Sequence, residues 1–176
     1  ARGNDRRYSY GTGGYLMSKE VMKDLKKKLG KKIIDMVQPR SNRIYIRVEP
    51  EKAPGVVEYL FSKYKCKLCT ATGIDMREGI EMIYHLARED KNILINVKTL
   101  IPYSKLEMDS IGKKIPAFRW IEREINEMLG VEFKGHPDMR RLLLADSFPK
   151  GKYPLRKDFK HSDVTDEDYD YERSGI

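Results

Sequence analysis

Only two cysteines occur in this sequence, Cys66 and Cys69, which excludes a secreted scaffold stapled by several disulfides. A tetrahedral zinc site or an iron-sulfur cluster needs four ligands. The remaining candidates, His85, His136 and His161, are scattered and offer no second paired spacing. The Cys66-Lys67-Leu68-Cys69 pair is therefore expected to be two partly buried structural thiols. Within a strand, positions i and i+3 point to opposite faces roughly 10 Å apart, too far for a disulfide. Nor do the histidines supply a nucleophile-base set. Long apolar runs are missing as well. Hydrophobic residues make up 40% of the chain, yet each run is far shorter than the ~20 residues that span a bilayer. No charged segment followed by an apolar one opens the sequence, so a soluble cytoplasmic protein is the expectation. Glutamine appears once, at Gln38, while charged residues reach 35%, a thermophile tendency.

What is abundant is positive charge, and it is unevenly distributed. Residues 1–160 carry 34 basic and 21 acidic side chains, or +13, whereas residues 161–176 carry one arginine and six acids, or −5. A basic body with an acidic tail fits a nucleic acid, an anionic membrane surface or an acidic protein partner.

Periodicity divides the chain into an arm at 1–17, an α+β domain at 18–130, an extended segment at 131–160 and the acidic tail at 161–176. The Gly11-Thr12-Gly13-Gly14 run lacks the preceding strand and the Lys-Ser/Thr ending of a phosphate cradle. Ser18 is expected to cap a helix over 18–29, with Val21, Met22, Leu25 and Leu29 on one face and Gly30 as its stop. Two strands follow, at 32–37 and 43–48, the second alternating Ile44, Ile46 and Val48 with Arg43, Tyr45 and Arg47; they are expected to form a hairpin. Pro54 opens a second helix ending near Tyr64. Three further strands are expected at 67–75, 79–87 and 92–99. Strands grouped in hairpins with helices between them indicate an α+β fold, a mixed or antiparallel sheet covered on one face by two helices.

A third helix runs from Pro116, with Phe118, Ile121, Ile125, Met128 and Leu129 on one stripe and Gly130 as its stop. Its polar face reads Arg119, Glu122, Arg123, Asn126 and Glu127. Beyond it, Phe133, Leu142, Leu143, Leu144, Phe148, Leu155 and Phe159 follow no period, and Pro137, Pro149 and Pro154 interrupt the segment. Such residues are too apolar for a solvated tail and the stretch is too long for a loop of a compact domain. A partner surface is expected to cover them, with Arg140, Arg141, Arg156 and Lys157 meeting its carboxylates.

The stretch from Trp120 to Phe159 carries Glu122-Arg123-Glu124, Gly130-Val131, Gly135-His136-Pro137-Asp138, Arg140-Arg141-Leu142-Leu143 and Pro154-Leu155-Arg156-Lys157-Asp158-Phe159. These blocks resemble the signature of the 30-kDa (C) subunit of respiratory NADH dehydrogenase, a family shared with membrane-bound nickel-iron hydrogenases and related energy-converting complexes. The order of elements upstream fits the family's α+β domain over 18–160.

The resemblance implies a subunit without a catalytic site, cofactor or metal of its own. Its C-terminal segment would clamp a large subunit homologous to the nickel-iron hydrogenase large chain and to the 49-kDa subunit of complex I. Small iron-sulfur subunits would be further partners, membrane-arm subunits indirect ones, and nucleic acid none. It also implies a peripheral position on the cytoplasmic face of the cell membrane. The implied partner-binding residues are Glu122, Arg123, Glu124, Gly135, His136, Pro137, Asp138, Arg140, Arg141, Leu142, Leu143, Pro154, Leu155, Arg156, Lys157, Asp158 and Phe159. Asn126, Glu127 and Leu129 depart from the usual complex I pattern. Those departures favour a hydrogenase or sulfur-reducing branch over a true NADH:quinone oxidoreductase, which stays open beside a basic nucleic-acid binder. Glu122, Arg123 and Glu124 are expected to make helix-surface and interface contacts, and His136 to fix a turn or bond a backbone group.

Overall fold

The computed structural model describes residues 12–164, with side chains from Ser18 onward except that of Asp163. The expected arm before Thr12 and the acidic tail from 165 lie outside the described residues. Helix α1 spans Thr12–Leu29, so it starts before Ser18. Ser18 is not its cap: it is buried inside the helix and bonds the Gln38 side chain. Gly30 follows with a φ of 49°, a left-handed conformation that ends the helix cheaply only for glycine.

Strands β1 (Asp35–Arg40) and β2 (Arg43–Arg47) form the expected antiparallel hairpin, with an irregularity between Val37 and Arg40. Pro39 lies in β1, where a residue without an N–H is tolerated at an edge. Helix α2 spans Ala53–Ser62. Strands β3 (Lys67–Asp75), β4 (Gly79–Arg88) and β5 (Ile93–Pro102) then form a meander. Its last strand lies parallel to β2, giving a mixed sheet in the order β1-β2-β5-β4-β3. Helix α3 covers Arg119–Leu129 after a 3-10 turn at Pro116–Phe118. A second, two-stranded parallel sheet was not expected from the sequence. It pairs β6 (Glu107–Asp109) with β7 (Glu132–Lys134).

Alternation decides which sheet face is covered. Ile80, Met82, Tyr84 and Leu86 of β4 and Ile95, Val97 and Ile101 of β5 are all buried completely, as period-two residues on one face should be. Three helices, not two, cover that face. A Cβ on Gly73 would collide with Leu129 Cδ1, and Gly73 pairs with the core-facing Met82; α3 thus packs against the same side. Phe118 sits edge-on to Tyr84 and to Phe61 of α2, with ring centroids 6.0 and 6.5 Å apart. On the opposite face a polar chain ties four strands. Asn96 Nδ2 donates to the Ile44 carbonyl at 3.1 Å. Its Oδ1 therefore accepts from His85 Nδ1 at 2.7 Å, and His85 Nε2 accepts from the Thr72 hydroxyl at 3.2 Å.

The core does not stop at Gly130. Val131 and Phe133 are buried in the same apolar cluster as the helices, so the expectation that apolar residues after 130 lack burial within the chain fails for both. Of the two thiols, Cys66 is buried and Cys69 exposed, not both partly buried. An irregularity in β3 falls between Leu68 and Thr70, which breaks simple alternation at Cys69. Burial pushes the Cys66 thiol up to about 11.

Candidate partner-binding site

Helix α3 organises the region that carries the motifs. Ile125 and Leu129 are buried on its core side, while Trp120, Arg123 and Glu127 repeat at helical spacing on its outer side. Gly130, with a φ of 76°, closes the helix through its N–H to the Asn126 carbonyl at 2.8 Å. A side chain is excluded there twice over, since a Cβ would lie 2.5 Å from Tyr153 Cζ and 2.6 Å from Arg156 Nη2.

Glu122 does not make the expected helix-surface contact. It is 1% exposed, because the loop before α3 folds over it. Its carboxylate accepts from the Ser110 hydroxyl at 2.5 Å and from the amides of Ile111 and Gly112 at 2.7 and 3.1 Å. A Cβ on Gly112 would come within 2.9 Å of Glu122 Oε2, so the close approach of that amide needs glycine. Burial raises the Glu122 carboxyl above its ordinary value, against the opposing pull of the three donors and of His136.

The His136 side chain is fully buried, with Nε2 3.8 Å from Glu122 Oε2. Its Nδ1 accepts from the Asp138 amide at 3.1 Å, which leaves Nε2 to donate to the Arg119 carbonyl at 3.1 Å. The ring thus fixes the turn that begins at Gly135, whose φ is 73°.

From this turn to Phe159 the chain lies back along α3 as a strap, held chiefly by charged side chains gripping backbone. Arg123 donates from Nε to the Arg140 carbonyl at 2.8 Å and from Nη2 to the Arg141 carbonyl at 2.6 Å. One turn on, Glu127 accepts from the amides of Leu142 and Leu143 at 3.1 and 2.7 Å. Arg141 closes the next loop by donating to the carbonyls of Ala145 and Phe148. Phe148 is buried and stacks on Phe159 at 6.4 Å. At the far end Leu155 N–H reaches the Met128 carbonyl at 3.1 Å and Arg156 Nε the Leu129 carbonyl at 2.7 Å. These satisfy carbonyls that a helix C-terminus leaves open. The Arg156 guanidinium also lies 4.2 Å from the Tyr153 ring centroid and 5.6 Å from that of Tyr103. Lys157 N–H donates to Asp75 at 2.7 Å, and the Tyr103 hydroxyl bonds the same carboxylate. Desolvation pushes the Asp75 carboxyl up, but the two donors together with the charges of Lys157 and Arg156 outweigh it and hold it below its ordinary value.

Of the arginines expected to meet partner carboxylates, none is wholly uncommitted within the chain. Arg156 and Arg141 grip the chain's own carbonyls, and Arg140 pairs with Asp138 at 2.8 Å. Glu124, Pro137, Lys157 and Asp158 are exposed, and Leu142, Pro154 and Phe159 are half-buried. Glu127, Trp120, Asp75, Tyr103 and Tyr153 belong to the same assembly, although the sequence did not single them out as site residues. The i, i+4 spacing of Arg123 and Glu127 is the one local signal that pointed there. Large apolar side chains also remain outside: Trp120 is 65%, Leu155 61% and Leu143 60% exposed.

The sequence profile of the family described as "Respiratory-chain NADH dehydrogenase, 30 Kd subunit" matches residues 46–165. The chain belongs to this family. The C subunit of F(420)H(2) dehydrogenase from Methanosarcina mazei is 35% identical over 121 residues, 67% of this chain and 76% of that protein. The C subunit of NADH-quinone oxidoreductase from Dinoroseobacter shibae is 33% identical over 133 residues, covering 72% of this chain and 60% of the relative. Formate hydrogenlyase subunit 5 of Escherichia coli is 33% identical over 130 residues, which are 72% of this chain but only 23% of that longer polypeptide. Among solved structures, a chain of the membrane-bound sulfane sulfur reductase, an archaeal respiratory membrane complex, superposes with a TM-score of 0.73. It is 26% identical, and the match covers 82% of this chain and 86% of that one. A trypsin-resistant fragment (1-134) of Nqo5 shares the fold at a TM-score of 0.56 and 16% identity, covering 69% of this chain and 98% of the fragment. The protein is thus a complex I-like 30-kDa subunit, of the kind found in F420H2 dehydrogenase, hydrogenase and sulfane sulfur reductase complexes. Among the described residues no helix is long and apolar enough to cross a membrane.

Proposed function

We propose that this chain is a scaffold subunit of the hydrophilic arm of an ion-translocating oxidoreductase, and that its strap clamps the large subunit homologous to the nickel-iron hydrogenase large chain. The observation that carries the reading is the division of labour in the strap. Arg123, Glu127, Arg141 and Arg156 fix its backbone, while Trp120, Leu143 and Leu155 stay more than half exposed. A prearranged apolar surface loses little conformational freedom on docking, and each anchor buried in a partner contributes roughly 1.5–3 kcal/mol. The relative in which the matched region is 23% of a longer polypeptide supports a module that works joined to another one. In this reading the chain contributes no cofactor; electrons pass through iron-sulfur centres on partner chains, joined by a nickel-iron centre only where the complex is a hydrogenase. It sits peripherally on the cytoplasmic face of the membrane. The sulfane sulfur reductase neighbour and the F(420)H(2) dehydrogenase relative support a compact energy-converting complex over a true NADH:quinone oxidoreductase.

The test is co-purification of the large subunit with Leu143→Asp and Leu155→Asp chains. Loss of the large subunit with an unchanged melting temperature of the isolated variant is the expected result. Retention of the large subunit by the double variant would refute the clamp.

A further inference from the structure

We propose that the cleft between α3 and the strap, lined by Arg123, Arg140, Arg141, Asp146 and Lys150, is a socket for carboxylates on an acidic segment of the large subunit. The proposal rests on the clamp reading and adds to it a chemically defined contact. Four cations line the cleft against a single acid. Two of the cations are fixed in position by neutral acceptors. Arg123 is held by the carbonyls of Arg140 and Arg141, and Arg141 by those of Ala145 and Phe148. A carbonyl orients a guanidinium without cancelling its charge. Among the described residues no carboxylate forms a salt bridge with Arg123, Arg141 or Lys150; Arg140 alone is paired, with Asp138. That Asp138 carboxyl is held well below its ordinary value, first by the Arg140 side chain and in addition by the field of Arg123.

The cleft therefore presents fixed positive charge with hydrogen-bond donors to spare. Arg123 uses Nε and Nη2, and Arg141 uses Nη1 and Nη2. Among the described residues Arg123 Nη1 and Arg141 Nε make no hydrogen bond. Planar guanidinium groups match carboxylates in two-point geometry, and groups already immobilised lose little entropy when an anion arrives. The surroundings favour a protein segment over a nucleic acid or a lipid surface. Trp120 lies 5.5 Å from the Arg123 guanidinium, and the exposed Leu143 is two residues from Arg141. Apolar side chains beside fixed cations suit a partner that brings both apolar anchors and carboxylates, as a folded protein does.

Lys150 is exposed and makes a direct test possible. The native complex would be treated with a carbodiimide, which joins a lysine amine to a carboxylate in contact with it, and the linked peptides identified by mass spectrometry. The expected product is an amide between Lys150 and an Asp or Glu of the large subunit. Lys150→Glu should also weaken reassociation with the large subunit roughly tenfold at low salt and flatten its salt dependence, as loss of a steering charge does. A Lys150 linked only to the chain's own acidic residues, or to a subunit other than the large one, overturns the proposal. So does a Lys150 that is freely acetylated in the intact complex, or one protected only in vesicles containing anionic lipid and released by detergent. Leu143→Asp separates the two levels. If it releases the large subunit while Lys150 stays freely acetylated in the wild-type complex, the socket fails and the clamp stands; if even the double variant with Leu155→Asp keeps the large subunit, the clamp itself is wrong.

Discussion

The sheet with its three helices and the strap that follows are held by different physics within one chain. In the first region, apolar residues recur with the period of their element and meet on one face of the sheet, where Tyr84, Phe118, Ile95 and Leu60 lose all contact with solvent. In the second, regular structure is absent between Gly135 and His161, and side chains do the work that a ladder does elsewhere. Arg123, Glu127, Arg141 and Arg156 reach backbone groups that would otherwise need water. The first kind of region tolerates surface change and fails when its interior is hollowed. The second depends on a few hydrogen-bonding side chains and can come loose without melting the domain.

The largest effect should come from the core. Phe118→Ala removes a ring that packs between Tyr84 and Phe61 and should cost about 3–5 kcal/mol in denaturant unfolding. A cost under about 1 kcal/mol would mean that the core is not organised around that ring.

Truncation locates where one region ends and the other begins. A chain ending at Gly130 loses Val131 and Phe133, both buried, and should be strongly destabilised. A chain ending at Asp138 keeps them, and with them the His136 contacts, and should still melt cooperatively. Equal stability of the two truncations would show that β7 is not part of the domain.

Smaller effects are expected in the strap. Arg156→Ala gives up the bond to the Leu129 carbonyl and the Tyr153 ring contact, at a cost of about 1–3 kcal/mol. The readout is faster trypsin cleavage at Lys150 and Lys152, with the amides of β4 and β5 still protected from hydrogen exchange. Arg156→Lys should not restore the wild-type rate, because an ammonium cannot combine the Nε bond with ring stacking.

The Asp75 anchor should respond to pH. Its carboxyl is held below the ordinary value, so its contribution is present above the unfolded-state pKa and is lost as pH falls through the folded one. Hydrogen exchange at the Lys157 amide should therefore gain protection as pH rises across that window, after correction for intrinsic rates. Asp75→Asn should abolish the change.

The smallest effect belongs to the thiols. Cys69→Ser, at an exposed site, should leave the midpoint of unfolding unchanged. Cys66→Ser, at a buried one, should lower the midpoint, at a cost of about 1 kcal/mol in unfolding free energy, as for a hydroxyl placed in an apolar site.

Much of the first region could be read in advance because its signals are local. The strand at 67–75 was expected within its observed bounds, and Pro116 and Gly130 bracket the third helix as a start and a stop should. Helix α1 ran longer than expected because Ser18, a good cap by type, found a partner in Gln38 across the fold. The short pair β6 and β7 carried no signal, since three residues cannot display a period and their pairing joins segments more than 20 residues apart.

Fold class, the apolar faces of the elements and, through the motif blocks, the family were all legible in the order of residues. Where the charged residues of those blocks point was settled only on folding. Glu122 and Arg123 are neighbours on one helix, yet one is buried under the amides of Ile111 and Gly112 and the other grips the strap. The physical reason is that apolar burial is periodic along the chain, whereas a hydrogen bond between a side chain and a distant backbone group exists only once the fold has brought the two together.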